Sequence, residues 1–315
     1  MLSRPLGTLG DVSVVSLGAR ARPDQGSTTL HEAIATYHAA TEAGVTLIDS
    51  APAYGDGLAE RVIGEAFRGT LPAGVRLGTK CNLDGVPPTE VRSTLEQSLQ
   101  ASLGRMRVDR VDYLLLHSQI LADGDETRFQ GVTLSTYRDA IRPALIHLVE
   151  SGAVAAWGIS ALGMADAAIE AIEDHPAPAL VECATNALES AGSIDQGDAP
   201  PRHRAIIEAA RLQGVGVLGV RTLQAGALTS RRPDVSDDHP DARDFNRAVP
   251  FRALAAELGE DPALLAHRYA LTIPGVSSVI LGVANRQELA VGLTGAQQGT
   301  LDDRLVRRID QAVAD

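Results

Sequence analysis

Four side chains in this 315-residue chain stand where proton chemistry would need them: Asp49 and Tyr54 in I-D-S-A-P-A-Y-G, Lys80 in R-L-G-T-K, and His117 in Y-L-L-L-H. An acid and a phenol five residues apart, where a short apolar run ends, mark a place to look for general acid–base work. Each has an ordinary reading as well. Asp49 could cap a loop, Tyr54 could pack at a rim, a strand-end lysine is commonly solvated, and a histidine after an apolar run is commonly structural. The spacing changes this balance. Asp49, Lys80 and His117 are 31 and 37 residues apart, near the length of one strand-plus-helix unit, so on adjacent parallel strands they share one rim. Groups fixed at the carboxyl ends of barrel strands are the ones that reach a cleft.

The elements that must position them repeat along the chain. Short runs rich in Val, Ile and Leu occur at Val14 to Leu17, Thr46 to Ile48, Arg76 to Gly78, Tyr113 to Leu116, Ala155 to Ile159, Leu180 to Cys183, Gly216 to Val220 and Ser278 to Leu281. Between them, apolar residues at i, i+3, i+4 spacing predict helices over Leu30 to Glu42, Ala59 to Arg68, Pro88 to Arg105, Tyr137 to Glu150, Met164 to Glu173, Pro201 to Gln213, Phe251 to Leu271 and Arg286 to Gly292. Pro88 and Pro201 near first turns, and Gly44, Gly152 and Gly214 past last turns, support several of these limits. Strand alternating with helix implies parallel strands. Eight units with no Pro/Gly/Ser-rich linker favour a closed (β/α)8 barrel over an open sheet, with residues 1–315 as a single domain.

Residues 4–15 read as a β-hairpin outside the main sheet, turning at Gly10-Asp11. Long loops follow the fourth strand (Ser118 to Ser135) and the seventh (Thr229 to Val249). The second is nearly all polar and reads as a mobile insertion or lid. Leu301 to Asp315 reads as a final amphipathic helix. Gly214-Val215-Gly216-Val217-Leu218-Gly219 spells a dinucleotide-binding fingerprint, but it leaves a helix and enters a strand, the reverse of the order that motif requires.

Composition narrows the function classes. A net charge of -12 disfavours nucleic acid and anionic membranes as partners. No stretch has the length and apolarity of a membrane span or signal peptide, so the expected location is cytoplasmic. Cys81 and Cys183 lie far apart, without metal-ligand spacing, and read as buried or half-buried free thiols. No metal site is expected. Aromatic residues make up only 3% of the chain, which points to a small or polar substrate.

Asp49-Ser50-Ala51-Pro52-Ala53-Tyr54, Gly78-Thr79-Lys80 and Leu115-Leu116-His117, in this order, closely resemble the aldo-keto reductase family. The likeness runs from the opening hairpin past Gly282, and the family's fold is the barrel that the repeat predicts. The resemblance implies an oxidoreductase moving a hydride between a nicotinamide cofactor and a carbonyl or alcohol. Tyr54 would be the proton donor to the oxyanion, and Lys80 would lower its pKa from ~10. Asp49 would keep Lys80 charged, and His117 would align the carbonyl oxygen. Two rivals stand beside this reading: the same rim used for a non-redox elimination or isomerisation, and a cofactor-sensing regulatory subunit.

The resemblance also assigns cofactor contacts, with departures. Ser160 stands where a serine contacts the nicotinamide amide, but Ala161 replaces the asparagine that usually follows. Glu182 replaces a glutamine; a carboxylate accepts from the amide NH2 and cannot donate to its carbonyl. Val220 stands where an aromatic often stacks, with Arg221 and Leu223 after it. Gly282, Ala284, Arg286 and Glu288 fall in the loop and helix start that hold the adenosine phosphates. Ala284 replaces a frequent arginine, Gly292 a frequent asparagine and Glu288 a frequent glutamine. NADP(H) is the family expectation, and NAD(H) competes with it, because Glu288 would oppose a 2'-phosphate while Arg286 would offset that charge. Oligomeric state is left open.

Overall fold

The β-branched and Leu-rich runs pair side by side because each is apolar on both faces and must be covered on both. In the computed structural model, which describes residues 1–19, 29–195 and 200–314, they form eight parallel strands: β1 (Val15–Gly18), β2 (Leu47–Asp49), β3 (Arg76–Cys81), β4 (Val111–Leu116), β5 (Val154–Ala161), β6 (Leu180–Ala184), β7 (Gly216–Val220) and β8 (Val276–Gly282). Consecutive strands pair and β8 returns to β1, closing a (β/α)8 barrel. The sequence fingerprint at Gly214 lies, as its order implies, between helix His203–Leu212 and β7.

One apolar cluster fills the barrel interior, with Leu47, Tyr113, Leu115, Ala156, Leu180 and Leu218 contributed by alternate positions of the strands. The amino-terminal hairpin, Ser3–Pro5 against Asp11–Ser13, adds Leu6 and Val12 to that cluster and so closes the amino end. A larger cluster lies between the strands and the helices around them. The carboxyl end carries the buried polar residues Asp49, Lys80, Ser160 and Glu182 beside a small apolar cluster of Leu162, Ala184 and Ala191. Both cysteines are buried and free. Among the described residues no helix is long and apolar enough to cross a membrane.

Two sequence expectations need correction. The single helix expected over Phe251 to Leu271 is two, Val249–Leu258 and Pro262–Thr272. Gly259 turns left-handed (φ 67°) to end the first, and the Asp261 carboxylate accepts from the Ala263 N–H at 2.7 Å to start the second at Pro262. The polar stretch from Thr229 to Val249 contains a helix, Pro240–Arg247, whose buried face carries Asp241 and Asp244. Arg221 donates to Asp241 at 2.8 Å and Gln224 to Asp244 at 2.6 Å, so this face is paired within the protein rather than solvated. The loop after β4 carries a short parallel pair, Ile120–Leu121 with Val132–Thr133. The final helix is Asp303–Val313, capped by Asp302; Asp315, the last residue of the expected tail, lies outside the described residues.

Candidate active site

Strand β2 delivers Asp49 into the barrel mouth because Leu47 and Asp49, two residues apart, share the inward face. The chain then turns sharply. Gly55, Asp56 and Gly57 all take left-handed conformations (φ 63°, 52° and 74°), which is why the turn is written Gly-Asp-Gly. Tyr54 is held just before this turn by its N–H to the Ala51 carbonyl at 3.1 Å. The helix that follows, Leu58–Phe67, is pinned in its first turn by the fully buried Glu60. That carboxylate accepts from Thr79 Oγ1 and from Arg105 Nε, each at 2.6 Å. Thr79 is the neighbour of Lys80, so the turn bearing Tyr54 and the strand bearing the lysine are tied together.

Lys80 is completely buried. Its ammonium donates to Asp49 Oδ2, lies 3.3 Å from Glu182 Oε1, and sits 5.3 Å from the centroid of the Tyr54 ring. His117, just past the end of β4, meets Tyr54 edge to face with ring centres 6.0 Å apart. All four residues singled out in the sequence therefore converge on one rim. Two further groups complete the cluster. The Tyr113 hydroxyl donates to Asp49 Oδ1 at 2.8 Å, and Ser160 donates to Glu182 Oε2 at 2.9 Å. Gly78 makes the first of these contacts sterically feasible, since a Cβ there would lie 1.9 Å from the Tyr113 ring.

The electrostatics follow from burial and from the count of charges. Burial pulls the Lys80 pKa down, but Asp49, then Glu182 and Tyr54, more than reverse this, and the ammonium is held above its ordinary value. Burial pushes the Asp49 carboxyl up, with Lys80 opposing and Glu182 adding to the rise. The Tyr54 phenol is also raised, chiefly by burial; Lys80 pulls it down as the sequence suggested, yet the two carboxylates push the other way and the net shift is upward. The expectation of a lowered phenol is thus reversed, because burial outweighs the pull of the lysine and two carboxylates oppose it as well. His117 falls to about 4 through burial and the charge of Lys80, so it is a neutral imidazole near pH 7.

The other cofactor candidates lie further round the rim. Val220 ends β7, Leu223 packs on the core, and the Arg221 guanidinium is taken by Asp241 and Gln224. Gly282 ends β8 on an exposed edge. At the start of helix Arg286–Gln298, Asn285 accepts from Glu288 N at 2.9 Å and Glu288 accepts from Ala284 N at 2.8 Å, a reciprocal cap. Glu32, from helix Leu30–Glu42, accepts from the Arg286 main-chain N–H at 3.0 Å and from Nε and Nη2 of its guanidinium. Carboxylates thus already hold main-chain donors of the kind a phosphate would use. Gly292 has a packing reason: a Cβ there would lie 2.5 Å from the Leu281 side chain, so an asparagine at that position would have to displace the leucine.

Tyr113, Glu60 and Glu32 were not singled out in the sequence. Strand alternation puts Tyr113 on the same face as Leu115 and His117, a signal that could have found it. Glu32 carries no local signal, standing 254 residues from its partner.

A closed barrel with an ion-paired lysine beneath a tyrosine at the carboxyl ends of its strands defines a class by its architecture. The sequence pattern of the Aldo/keto reductase family matches residues 15–314, and the chain belongs to that family. It is 32% identical to methylglyoxal reductase YeaE of Escherichia coli (strain K12) over 184 residues, a match that spans 56% of this chain and only 55% of that protein. It is 25% identical to L-galactose dehydrogenase of Arabidopsis thaliana, across 90% of this chain and 84% of the relative. Against a probable voltage-gated potassium channel subunit beta of Oryza sativa subsp. japonica it is 26% identical, across 82% and 80% of the two chains.

Proposed function

We propose that the protein is an oxidoreductase that moves a hydride between a nicotinamide cofactor and a small or polar carbonyl or alcohol. The observation that carries this reading is the buried Lys80 ammonium, held by Asp49 and lying 5.3 Å from the Tyr54 ring centre with His117 alongside. Reductase and dehydrogenase relatives support it. Ser160 and Glu182 fit the nicotinamide end, with a hydroxyl and a carboxylate fixed side by side in the barrel mouth. When bound, the cofactor supplies or takes up the hydride. In the reducing direction Tyr54, kept protonated by its surroundings, gives its proton to the carbonyl oxygen as negative charge grows there. The neutral His117 donates a hydrogen bond to the same oxygen and fixes its position. Lys80 stabilises the phenolate left behind.

For the adenosine end we favour NAD(H). Arg286, the cation that would have offset Glu288, is already paired with Glu32, which leaves no surplus positive charge on that ion pair for a 2'-phosphate.

Side-by-side fluorescence titration with NADH and NADPH, joined to a turnover screen of aldehydes, ketones, sugars and alcohols, tests the reading. Nicotinamide binding and redox turnover by the isolated chain are expected, with NADH the tighter ligand; the turnover would also remove the regulatory-subunit alternative. Tyr54→Phe should cut kcat by about 10²- to 10⁴-fold while the cofactor Kd stays within about two-fold. Substrate turnover with no nicotinamide bound would instead favour a non-redox reaction on the same rim.

A further inference from the structure

Charge in the barrel mouth does not balance. Among the described residues Lys80 is the only fully buried cation in the mouth, and two carboxylates share it. They reach it from opposite sides. Asp49 comes from β2, next to β3, whereas Glu182 comes from β6, four strands round an eight-stranded ring and so across the barrel from β2. Glu182 is almost completely buried, and its second oxygen is fixed by Ser160 on the neighbouring strand, with which it is in register. It therefore cannot swing out to water. The mouth holds one carboxylate more than it has cations, in surroundings where a unit charge acts strongly on its neighbours.

What lies next to that charge decides its use. The family resemblance puts Ser160 and Glu182 beside the nicotinamide ring, and the two redox forms of that ring differ by one unit: the oxidised ring is a cation and the reduced ring is neutral. We infer that Glu182 is the counter-charge for the oxidised ring, so that the site holds the oxidised cofactor more tightly relative to the reduced one than it would with a neutral side chain at this position. The inference rests on the nicotinamide reading above and gives that reading a direction: holding the oxidised ring more tightly lowers the potential of the bound couple, which favours carbonyl reduction on the protein. In that direction the carbonyl carbon would take up hydride with its electron pair as the C=O π bond breaks, and the ring that supplied it would be left a cation. The Tyr54 hydroxyl gives its proton to the oxygen as negative charge grows there, and the alcohol product forms. Glu182 acts through charge and position, and takes no proton in this scheme.

Glu182→Gln keeps the shape and the acceptor for Ser160 while removing the charge. Dissociation constants for oxidised and reduced cofactor, measured by calorimetric or fluorescence titration on wild type and variant, read the effect without turnover. The ratio Kd(oxidised)/Kd(reduced) should rise about ten-fold in the variant, equivalent to about 30 mV in the potential of the bound couple. An unchanged ratio, or both constants moved by one common factor as a purely structural role would give, overturns the inference. Glu182→Asp keeps the charge and serves as the control for folding: its ratio should stay within about three-fold of wild type, and a ratio that rises as far as in Glu182→Gln would overturn the inference. Binding of neither form by either protein removes the nicotinamide reading as well, whereas binding with an unshifted ratio removes only the role of Glu182.

Discussion

Lys80 and Arg286 are both cations held by glutamate or aspartate, one in the barrel mouth and one at a helix start, and burial gives them opposite consequences. Lys80 has no exposed surface and two carboxylates. Arg286 is 57% exposed and has one dominant partner, Glu32, pulled down to about 2 by the guanidinium's hydrogen bonds. In the mouth of the barrel neither partner can be hydrated if the other is lost, so the cluster sets the protonation of Tyr54 and the field over any bound ring. At the helix start, water and salt compete for every charge. There the pair cannot be a source of stability, and its effect is to occupy donors.

The sharpest way to break the comparison is to remove each cation in turn. Lys80→Met leaves Asp49 and Glu182 buried and unpaired, and should cost about 3–5 kcal/mol of unfolding free energy in urea, along with all measurable turnover. Arg286→Met should leave the urea midpoint where it is. Equal midpoint shifts in the two variants would show that burial does not separate the sites.

The contrast was only partly readable from the chain itself. Asp49, Tyr54, Lys80 and His117 could be found because each ends an apolar run and the intervals match one strand-plus-helix unit, so topology alone brings them to one rim. The barrel could be found for the same reason. Glu182 was found by position, but its ion pair with Lys80 was not, because it depends on which strands face each other across a closed ring. Glu32 and Arg286 meet only because β8 returns to β1, which no local pattern records. The helix Pro240–Arg247 was missed because its buried face is acidic, and burial of Asp241 and Asp244 is explained by Arg221, Gln224, Ser190 and Ser193 from other loops, with Arg247 of the same helix adding to Asp244.

A second test extends the comparison to two imidazoles whose shifts are set chiefly by burial. His267 is 4% exposed, and burial depresses its pKa to about 4; the half-buried His117 moves in the same direction. Each is neutral in the fold and charges more readily when unfolded, so the stability they contribute is fully present above pH 6.5 and is lost as pH falls through 6.5 towards 4. At ~1.4 kcal/mol per unit, His267 accounts for about 3 kcal/mol across that window. His267→Gln should flatten the decline, seen as a smaller gap between urea midpoints at pH 7 and pH 4.5. A slope identical to wild type would show that the ring is hydrated or paired in solution.

The smallest effect expected is the most specific. Glu32→Gln removes the charge that neutralises Arg286 while keeping an acceptor for the main-chain N–H, so the guanidinium becomes available to an anion at the helix start. NADPH should then gain about three- to ten-fold in affinity relative to NADH. Because the site is exposed, raising the salt concentration should erode that gain, as it would not erode the shift from Glu182→Gln in the buried mouth. A gain that survives high salt would mean that the helix start is shielded from solvent when cofactor binds. No gain at any salt would place the 2'-phosphate away from Arg286.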